Sequence, residues 1–540
     1  MYILGINGGV RAGYQDVSAV LLKDGEVIYA IAEERLNRKK HSAGQLPFYA
    51  IKEALKFAKI SMQDVSFVAT HGSTWGEEYE KVVEEYLRYS FGYSPKVIRI
   101  HHHIAHAASA YYGSGFDEAM ILTMDASGDG ISLQKAIGRK GKIEIVEQFP
   151  RTNSLGIFYS IMTQFCGFTR DTDEYKLMGL APYGDASRID LNEILDVSYG
   201  KFQLNNDFIK EIKTGAPQGS RQQAAYSNKL VQLLGEPRIA VNELTQHYKD
   251  VAAASQELLT NAIVAVVTKF HAETGLRKIC LAGGVALNCE TNRHLMNLDF
   301  IDDLFVQPAS GDDGISLGAA WYISNEMGVS PKPAGNYYLG NEFNNDQIKV
   351  QLDLMGLSYE AVEDVGECAA TLVAEDNIVA WFQGREEFGP RALGARSILA
   401  NPRNDEMKRV LNHKIKFREG FRPFCPSVLE EDAMEYLTGN KVSSPYMTIN
   451  YEVKDSELMP SISHVNKTAR IQTVSQENNA LFYDYLKKLK EKIGVGVSIN
   501  TSFNRNQEPI VHSPIEAISA FYGSGMDAIL IGNYLLQKKK

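Results

Sequence analysis

Apolar and polar positions in the first third of the chain fall into a pattern that predicts a strand followed by a hairpin. Ile3-Leu4-Gly5-Ile6 is a short apolar run, and Ser18 to Leu22 and Glu26 to Ala32 flank the turn Lys23-Asp24-Gly25. The pattern then returns. Ile121-Leu122-Thr123-Met124 lies 118 residues after the first run, Lys140-Gly141 lies 116 residues after Asp24-Gly25, and Ile131 to Ile137 and Lys142 to Val146 flank the second turn. A unit of strand, acidic or Gly-rich loop and hairpin that occurs twice predicts a duplicated nucleotide-binding architecture of the actin and sugar-kinase type. Helical periodicity follows over Val251 to Phe270 and Ile315 to Tyr322, and extended runs over Lys278 to Ala282 and Phe305 to Pro308. The stretch from about residue 185 to 238 is polar and weakly periodic, and reads as a specificity insertion or a solvated excursion. Pro331-Lys332-Pro333-Ala334-Gly335-Asn336 marks a boundary, and the chain divides into 1–340 and 341–540.

Chemistry enters at His101-His102-His103-Ile104-Ala105-His106. Residues four apart share a helix face, so His102 and His106 present two imidazoles to one ion, and Ala105, Ala107, Ala108 and Ala110 leave room for a close neighbour. A zinc-protease helix is disfavoured, because His103 stands where the general-base Glu belongs. Two acidic loops at strand ends, Asp125-Ala126-Ser127-Gly128-Asp129-Gly130 and Ser310-Gly311-Asp312-Asp313-Gly314, complete a set of two His and two Asp suited to Fe, Mn or Zn with positions open to substrate. Gly283-Gly284 after the strand at Lys278 predicts a helix start that favours phosphate. From Gly384 to Pro426 arginines sit on Gly- and Pro-punctuated loops, Lys414, Lys416, Arg418 and Arg422 among the cations of that run, which suits recognition of phosphate or carboxyl oxygens.

Composition narrows the class. The 540 residues exceed one core, and 44% hydrophobic with 23% charged residues is ordinary for a globular chain. A net charge of −10 argues against general nucleic-acid binding. Five scattered cysteines without a Cys-x-x-Cys pair predict a reduced compartment, and neither a leader nor an uncharged bilayer-length run is read, so the expectation is cytoplasmic, without membrane association. The oligomeric state is not readable.

The segments Asp173-Glu174-Tyr175-Lys176-Leu177-Met178-Gly179-Leu180-Ala181-Pro182, Phe388-Gly389-Pro390-Arg391-Ala392-Leu393-Gly394, Arg422-Pro423-Phe424, Ala469-Arg470-Ile471-Gln472-Thr473 and Asn500-Thr501-Ser502-Phe503-Asn504, together with the His102/His106 helix, occur in one order from Gly5 to about Leu536. The chain thereby resembles the O-carbamoyltransferases of nodulation-factor and antibiotic biosynthesis. The resemblance implies an α/β fold: a duplicated actin-like (ASKHA) N-terminal domain of the threonylcarbamoyl-transferase type, and a double-stranded-RNA-binding-like C-terminal domain. It implies that carbamoyl phosphate and ATP, with Mg²⁺, give carbamoyl-adenylate and pyrophosphate in the second domain. A small-molecule hydroxyl then takes the carbamoyl group at the metal site of the first. His102, His106, Asp125 and Asp312 match the metal ligands, of ferrous iron first and otherwise Mn²⁺ or Zn²⁺. Lys176, Gly283, Gly284 and Asn288 match the adenylate segments of the first domain, and Arg391, Lys416, Arg422, Arg470 and Ser502 the carbamoyl-phosphate and nucleotide contacts of the second.

One departure concerns the first loop, where the family commonly places His before Asp and this chain has Gln15-Asp16. Gln accepts no proton at neutral pH. The catalytic role at that position falls to Asp16 or to acidification of the hydroxyl by the metal, and the second is the expectation. The competing readings are carbamoylation of a nucleoside or nucleotide hydroxymethyl group, transfer to tRNA, which the acidic balance disfavours, an actin-like kinase or nucleotide-dependent binding protein, and a metallohydrolase, for which the activating Glu is missing.

Overall fold

The computed structural model describes residues 1–9, 16–76, 78–210, 223–439 and 441–538. The chain forms two compact units, one of Met1–Glu33 with His41–Ala334, the other of Glu34–Lys40 with Gly335–Lys540.

The first unit is built on two five-stranded sheets of one topology. In the first sheet, β1 (Tyr2–Asn7) pairs antiparallel with β2 (Ser18–Lys23), and β2 with β3 (Glu26–Ala32). On its other side β1 runs parallel to β4 (Val65–His71), and β4 to β5 (Lys96–Ile100), giving the order β3-β2-β1-β4-β5. The second sheet repeats this. It has β6 (Glu118–Gly128), β7 (Ile131–Arg139) and β8 (Lys142–Pro150) in an antiparallel meander. A hairpin of β9 (Leu195–Ser198) and β10 (Lys201–Leu204) stands apart, and β11 (Lys278–Ala282) and β12 (Asp303–Val306) extend the sheet parallel to β6. The order β8-β7-β6-β11-β12 is that of the first sheet, so the duplicated actin-like fold expected from the two hairpins is present.

Small residues let the halves of this unit close. A Cβ on Gly5 of β1 would lie 1.9 Å from the Ser316 carbonyl oxygen, so the helix Ile315–Glu326 rests directly on the strand. A Cβ on Gly318 of that helix would lie 1.8 Å from the Ala105 carbonyl oxygen of the helix His102–Ser114. The alanine stripe read from the sequence is this helix–helix contact. The parallel strands end on one edge, which brings Asn7, His71, Asp125 and the turns after β11 and β12 together.

Two expectations are refined. The glycine pair opens a 3₁₀ turn rather than an α-helix. Gly283 has φ +91°, a conformation no helix contains, and a 3₁₀ turn Gly284–Leu287 separates it from the helix Cys289–Met296. The 185–238 stretch, where described, is folded: the β9–β10 hairpin and the helix Asn228–Leu234 bury Phe202, Phe208 and Leu230. Among the described residues one helix, Gln246–Thr274, is long and apolar enough by length and composition to cross a membrane, and 61% of its apolar window is buried inside the structure. All five cysteines are free thiols.

The second unit is a mixed eight-stranded sheet. Its centre is formed by Val379–Phe382, Arg396–Ala400, Val497–Ser502 and Cys425–Leu429, and the helices Val365–Ala374 and Ala480–Ile493 cover one face over Trp381, Phe482 and Tyr485. Glu34–Lys40 belongs to this unit. Arg35 donates to the Gly389 carbonyl at 3.1 Å and lies 3.7 Å from the buried Glu386, and Arg38 donates to the Ile510 and Pro509 carbonyls at 2.7 Å each.

Candidate metal centre and anion site

His102 and His106 lie one turn apart on the helix His102–Ser114, with ring centroids 4.7 Å apart. Asp125 comes from β6 and Asp312 from the turn after β12. The structure brings these four together: one ligand atom from each lies within 4.8 Å of the others. His106 Nε2 stands 3.3 Å from Asp125 Oδ2 and 3.6 Å from Asp312 Oδ1, and His102 Nε2 stands 3.5 and 3.7 Å from the same atoms. Both rings are buried, and neither nitrogen of His106 makes a hydrogen bond. Two imidazoles and two carboxylates with an orphaned ring nitrogen at their centre fit a divalent cation, since a buried polar atom without a partner is costly. Electrostatics agree. Burial and the Asp125 charge push Asp312 up, while Asp125, which burial alone would raise, is held well below the usual carboxylate range by His102 and His106. Against the opposing effect of burial, the two carboxylates lift His106 to about 9. A cation held by His106 would compete with this proton.

Asp129 accepts from the His102 amide at 2.8 Å and from the amides and hydroxyls of Ser73 and Thr74, anchoring the first turn of the histidine helix. A Cβ on Gly128 would fall 1.9 Å from His102 Cδ2, so the ring lies flat on that glycine. His103 faces away, with Nδ1 2.6 Å from Thr123 Oγ1 and Nε2 donating to the Ile131 carbonyl at 3.1 Å, and serves as a core histidine. Asp16 has φ +54°, and its Oδ1 is 2.6 Å from His41 Nδ1. Its Oδ2 would be 3.7 Å from a Cβ on Gly311, beside Asp312. Gln15 lies outside the described residues.

Of the residues expected beside an adenylate, Gly283 packs so tightly that a Cβ would stand 2.1 Å from the Met124 carbonyl oxygen, and one on Gly284 would stand 3.5 Å from Asp125 Oδ1. The glycine pair therefore adjoins the cation cluster. Asn288 caps the helix Cys289–Met296 and exchanges hydrogen bonds with Gln256, which also accepts from Tyr159 at 2.7 Å. Its side chain is committed to the fold. Lys176 pairs with Asp173 at 3.2 Å.

In the second unit Lys416 ends a π-helical turn, Leu411–Lys416. Its buried amine donates to the Ser502 carbonyl, to Asn504 Oδ1 at 2.8 Å and to the Asn504 carbonyl at 3.2 Å, with Ser502 Oγ at 3.3 Å. Burial, then the charges of Arg418, Arg422 and Lys40, hold it well below the usual lysine range. Lys416, Arg422 and Ser502 thus share one cationic site with Arg418 and Lys40. Arg470 lies on a flanking strand, its guanidinium 2.9 and 3.1 Å from Cys425 Sγ. Arg391 sits in the loop between Gly389 and Gly394, which the buried Glu387 organises by accepting from the amides of Leu393, Ala395 and Arg396 at 2.8 to 3.1 Å. Arg385 and Arg396 turn inward instead, donating to backbone carbonyls, Arg385 to those of Gly340 and Leu339, Arg396 to those of Gln383, Gly384 and Asn341. These donors are taken by carbonyls of the unit's own chain.

The family described as carbamoyltransferase N-terminus matches residues 66–321, and that described as carbamoyltransferase C-terminus matches residues 370–538. The nodulation protein NolNO of Sinorhizobium fredii is 36% identical over all of this chain and 83% of its own length. A 3'-hydroxymethylcephem-O-carbamoyltransferase of Amycolatopsis lactamdurans is 29% identical over 69% of this chain and 66% of its own. Full-length HypF in its phosphate- and nucleotide-bound form aligns with 61% of this chain and 56% of its own at 15% identity and a TM-score of 0.34, a likeness too distant to bear on the site.

Proposed function

The chain belongs to the carbamoyltransferase family, and on that premise we propose that its second unit forms carbamoyl-adenylate from carbamoyl phosphate and ATP and its first transfers the carbamoyl group to a hydroxyl of a small acceptor. The observation that carries this reading is the convergence of His102, His106, Asp125 and Asp312, from three separate segments, on one point beside the Gly283-Gly284 turn.

Carbamoyl phosphate is a small dianion and ATP brings further charge, so the adenylating site needs fixed cations. Arg418, Arg422 and Lys40 surround Lys416 and depress its protonation. An arriving dianion reverses that balance, and Lys416 and Arg422 then hold the phosphate while Ser502 and Asn504 fix the amine. Arg391 and Arg470 take the remaining phosphate oxygens, and ATP enters with Mg²⁺.

In the first unit a divalent cation on the two His and two Asp, ferrous iron being the first to test, supplies Lewis acidity toward the carbamoyl carbonyl and the acceptor hydroxyl. Lys176 and the amides of the glycine turn hold the adenylate. Asp125 and Asp312 carry the negative charge that retains the cation. The Asp16 carboxylate, tied to His41 at 2.6 Å, orients this edge and is not the obligatory proton acceptor. The Amycolatopsis relative is a 3'-hydroxymethylcephem-O-carbamoyltransferase, and a hydroxymethyl group is the first acceptor to test here.

The test is pyrophosphate release from ATP on adding carbamoyl phosphate without an acceptor, for the wild type and for Arg422→Ala. Release that requires carbamoyl phosphate and disappears in the variant supports the reading. Release that ignores carbamoyl phosphate, or a phosphorylated product without pyrophosphate, refutes it.

A further inference from the structure

A line of three buried side chains leads from the Asp16 backbone to the cation cluster. Asn7 ends β1 and His71 ends β4, and because these strands are parallel neighbours their last side chains meet. Asn7 Nδ2 donates to the Asp16 carbonyl at 2.9 Å. That contact fixes which way the amide points, so the atom 2.7 Å from His71 Nε2 is the amide oxygen, which only accepts. His71 therefore carries its hydrogen on Nε2 and offers the Nδ1 lone pair. His102 Nδ1 lies 3.2 Å from that lone pair and must donate to it. One consequence remains: the Nε2 of His102, the nitrogen facing Asp125 and Asp312, is left with its lone pair exposed to the cluster.

The opposite arrangement is disfavoured at each step. It would set two lone pairs against each other between His71 and His102, or set the Asn7 amide oxygen against the His71 Nε2 lone pair or, if flipped, against the Asp16 carbonyl, in a place where Asn7, His71 and His102 are 2%, 3% and 3% exposed and water does not compensate. The edge of Trp75 against His71, with ring centroids 4.7 Å apart, and the bare backbone of Gly128 under His102 hold the rings in place.

We infer that Asn7 and His71 are positioning residues that set the tautomer and orientation of His102, making it a ligand rather than a proton-carrying neighbour of Asp125 and Asp312. The inference rests on the reading of the cluster as a cation site. Metal ligands are commonly oriented by such partners, and losing one costs roughly 10- to 100-fold in metal affinity.

Titration of metal-free protein with cobalt(II), followed by its visible absorption, decides the matter in four proteins: wild type, His71→Leu, His71→Gln and Asn7→Ala. The expected result is one cobalt per chain in the wild type, roughly 10- to 100-fold weaker binding in His71→Leu, and recovery of most of that loss in His71→Gln, whose amide oxygen still accepts from His102 Nδ1. Should His71→Leu fail to fold by circular dichroism, Asn7→Ala, which frees the His71 tautomer, decides by weakened binding alone. Wild-type affinity in the folded variants, or equal loss in His71→Leu and His71→Gln, overturns the relay while leaving the cation site standing. Absence of cobalt binding in the wild type overturns the site itself, and the relay with it.

Discussion

His106 Nε2 lies 3.3 Å from Asp125 Oδ2, buried and without a hydrogen bond. In the metal-free protein the two carboxylates lift this imidazole to about 9, above its unfolded value of about 6.5. Its pairing therefore stabilises the metal-free fold fully below that lower value, by up to about 3 kcal/mol, and the contribution is lost as pH rises through about 9. A cation has to displace the same proton, so metal affinity should rise about tenfold per pH unit up to about pH 9. Thermal melts of the metal-free protein and cobalt titrations at pH 7 and 8 check both slopes; a flat affinity between those values would show that no proton is displaced.

The two sites should separate by mutation. Asp312→Asn and His106→Ala are expected to lose carbamoyl transfer by at least about 100-fold while keeping carbamoyl-phosphate-dependent pyrophosphate release within about twofold. Lys416→Ala should do the reverse and stop pyrophosphate release. Removing the bound transition metal by dialysis, with Mg²⁺ restored, should reproduce the Asp312→Asn pattern. Loss of pyrophosphate release in Asp312→Asn would mean that adenylation needs the cluster.

Asp16→Asn tests the acceptor's proton. With Gln15 in place of the family's His, and Asp16 held by His41, the variant should retain transfer within about tenfold, because acidification of the hydroxyl removes the need for a strong base. If transfer vanishes while metal content and adenylate synthesis stay intact, the Asp16–His41 pair is the base.

The glycine turn makes a paired prediction. Gly283→Ala puts a Cβ 2.1 Å from the Met124 carbonyl oxygen at φ +91° and should destabilise the first unit by about 2–4 kcal/mol. Gly284→Ala meets Asp125 Oδ1 only at 3.5 Å and should fold within about 1 kcal/mol of wild type. Differential scanning calorimetry separates the two; equal melting temperatures would contradict the close packing.

Much of this was legible in the sequence because it is local. A hairpin announces itself by two apolar runs about a turn, so β1 to β3 and β6 to β8 could be read, and with them the duplication. His102 and His106 announce themselves by helical spacing. What could not be read depends on which strand lies beside which. Asn7 and His71 are far apart in sequence, and only the parallel pairing of β1 with β4 makes them neighbours. A faint signal existed, a polar residue ending a strand just before glycine, in both Asn7-Gly8 and His71-Gly72. The arginines misled for the converse reason: charge on a Gly-rich loop looks the same whether the guanidinium meets a ligand, as expected near Arg422, or its own backbone, as at Arg396.

Glu34–Lys40 gives the protein a property its two halves lack: it cannot be cut once and shared out. A fragment starting at Gly335 would have to fold with the buried Glu386 deprived of Arg35, and with the carbonyls of Gly389, Pro509 and Ile510 deprived of their guanidinium donors. Domain swapping between relatives, split-protein assays and truncated expression all presuppose a single joint. Here a portable second half has to bring along seven residues from the far end of the gene, and a chimera that omits them should be insoluble for reasons unrelated to its catalytic residues.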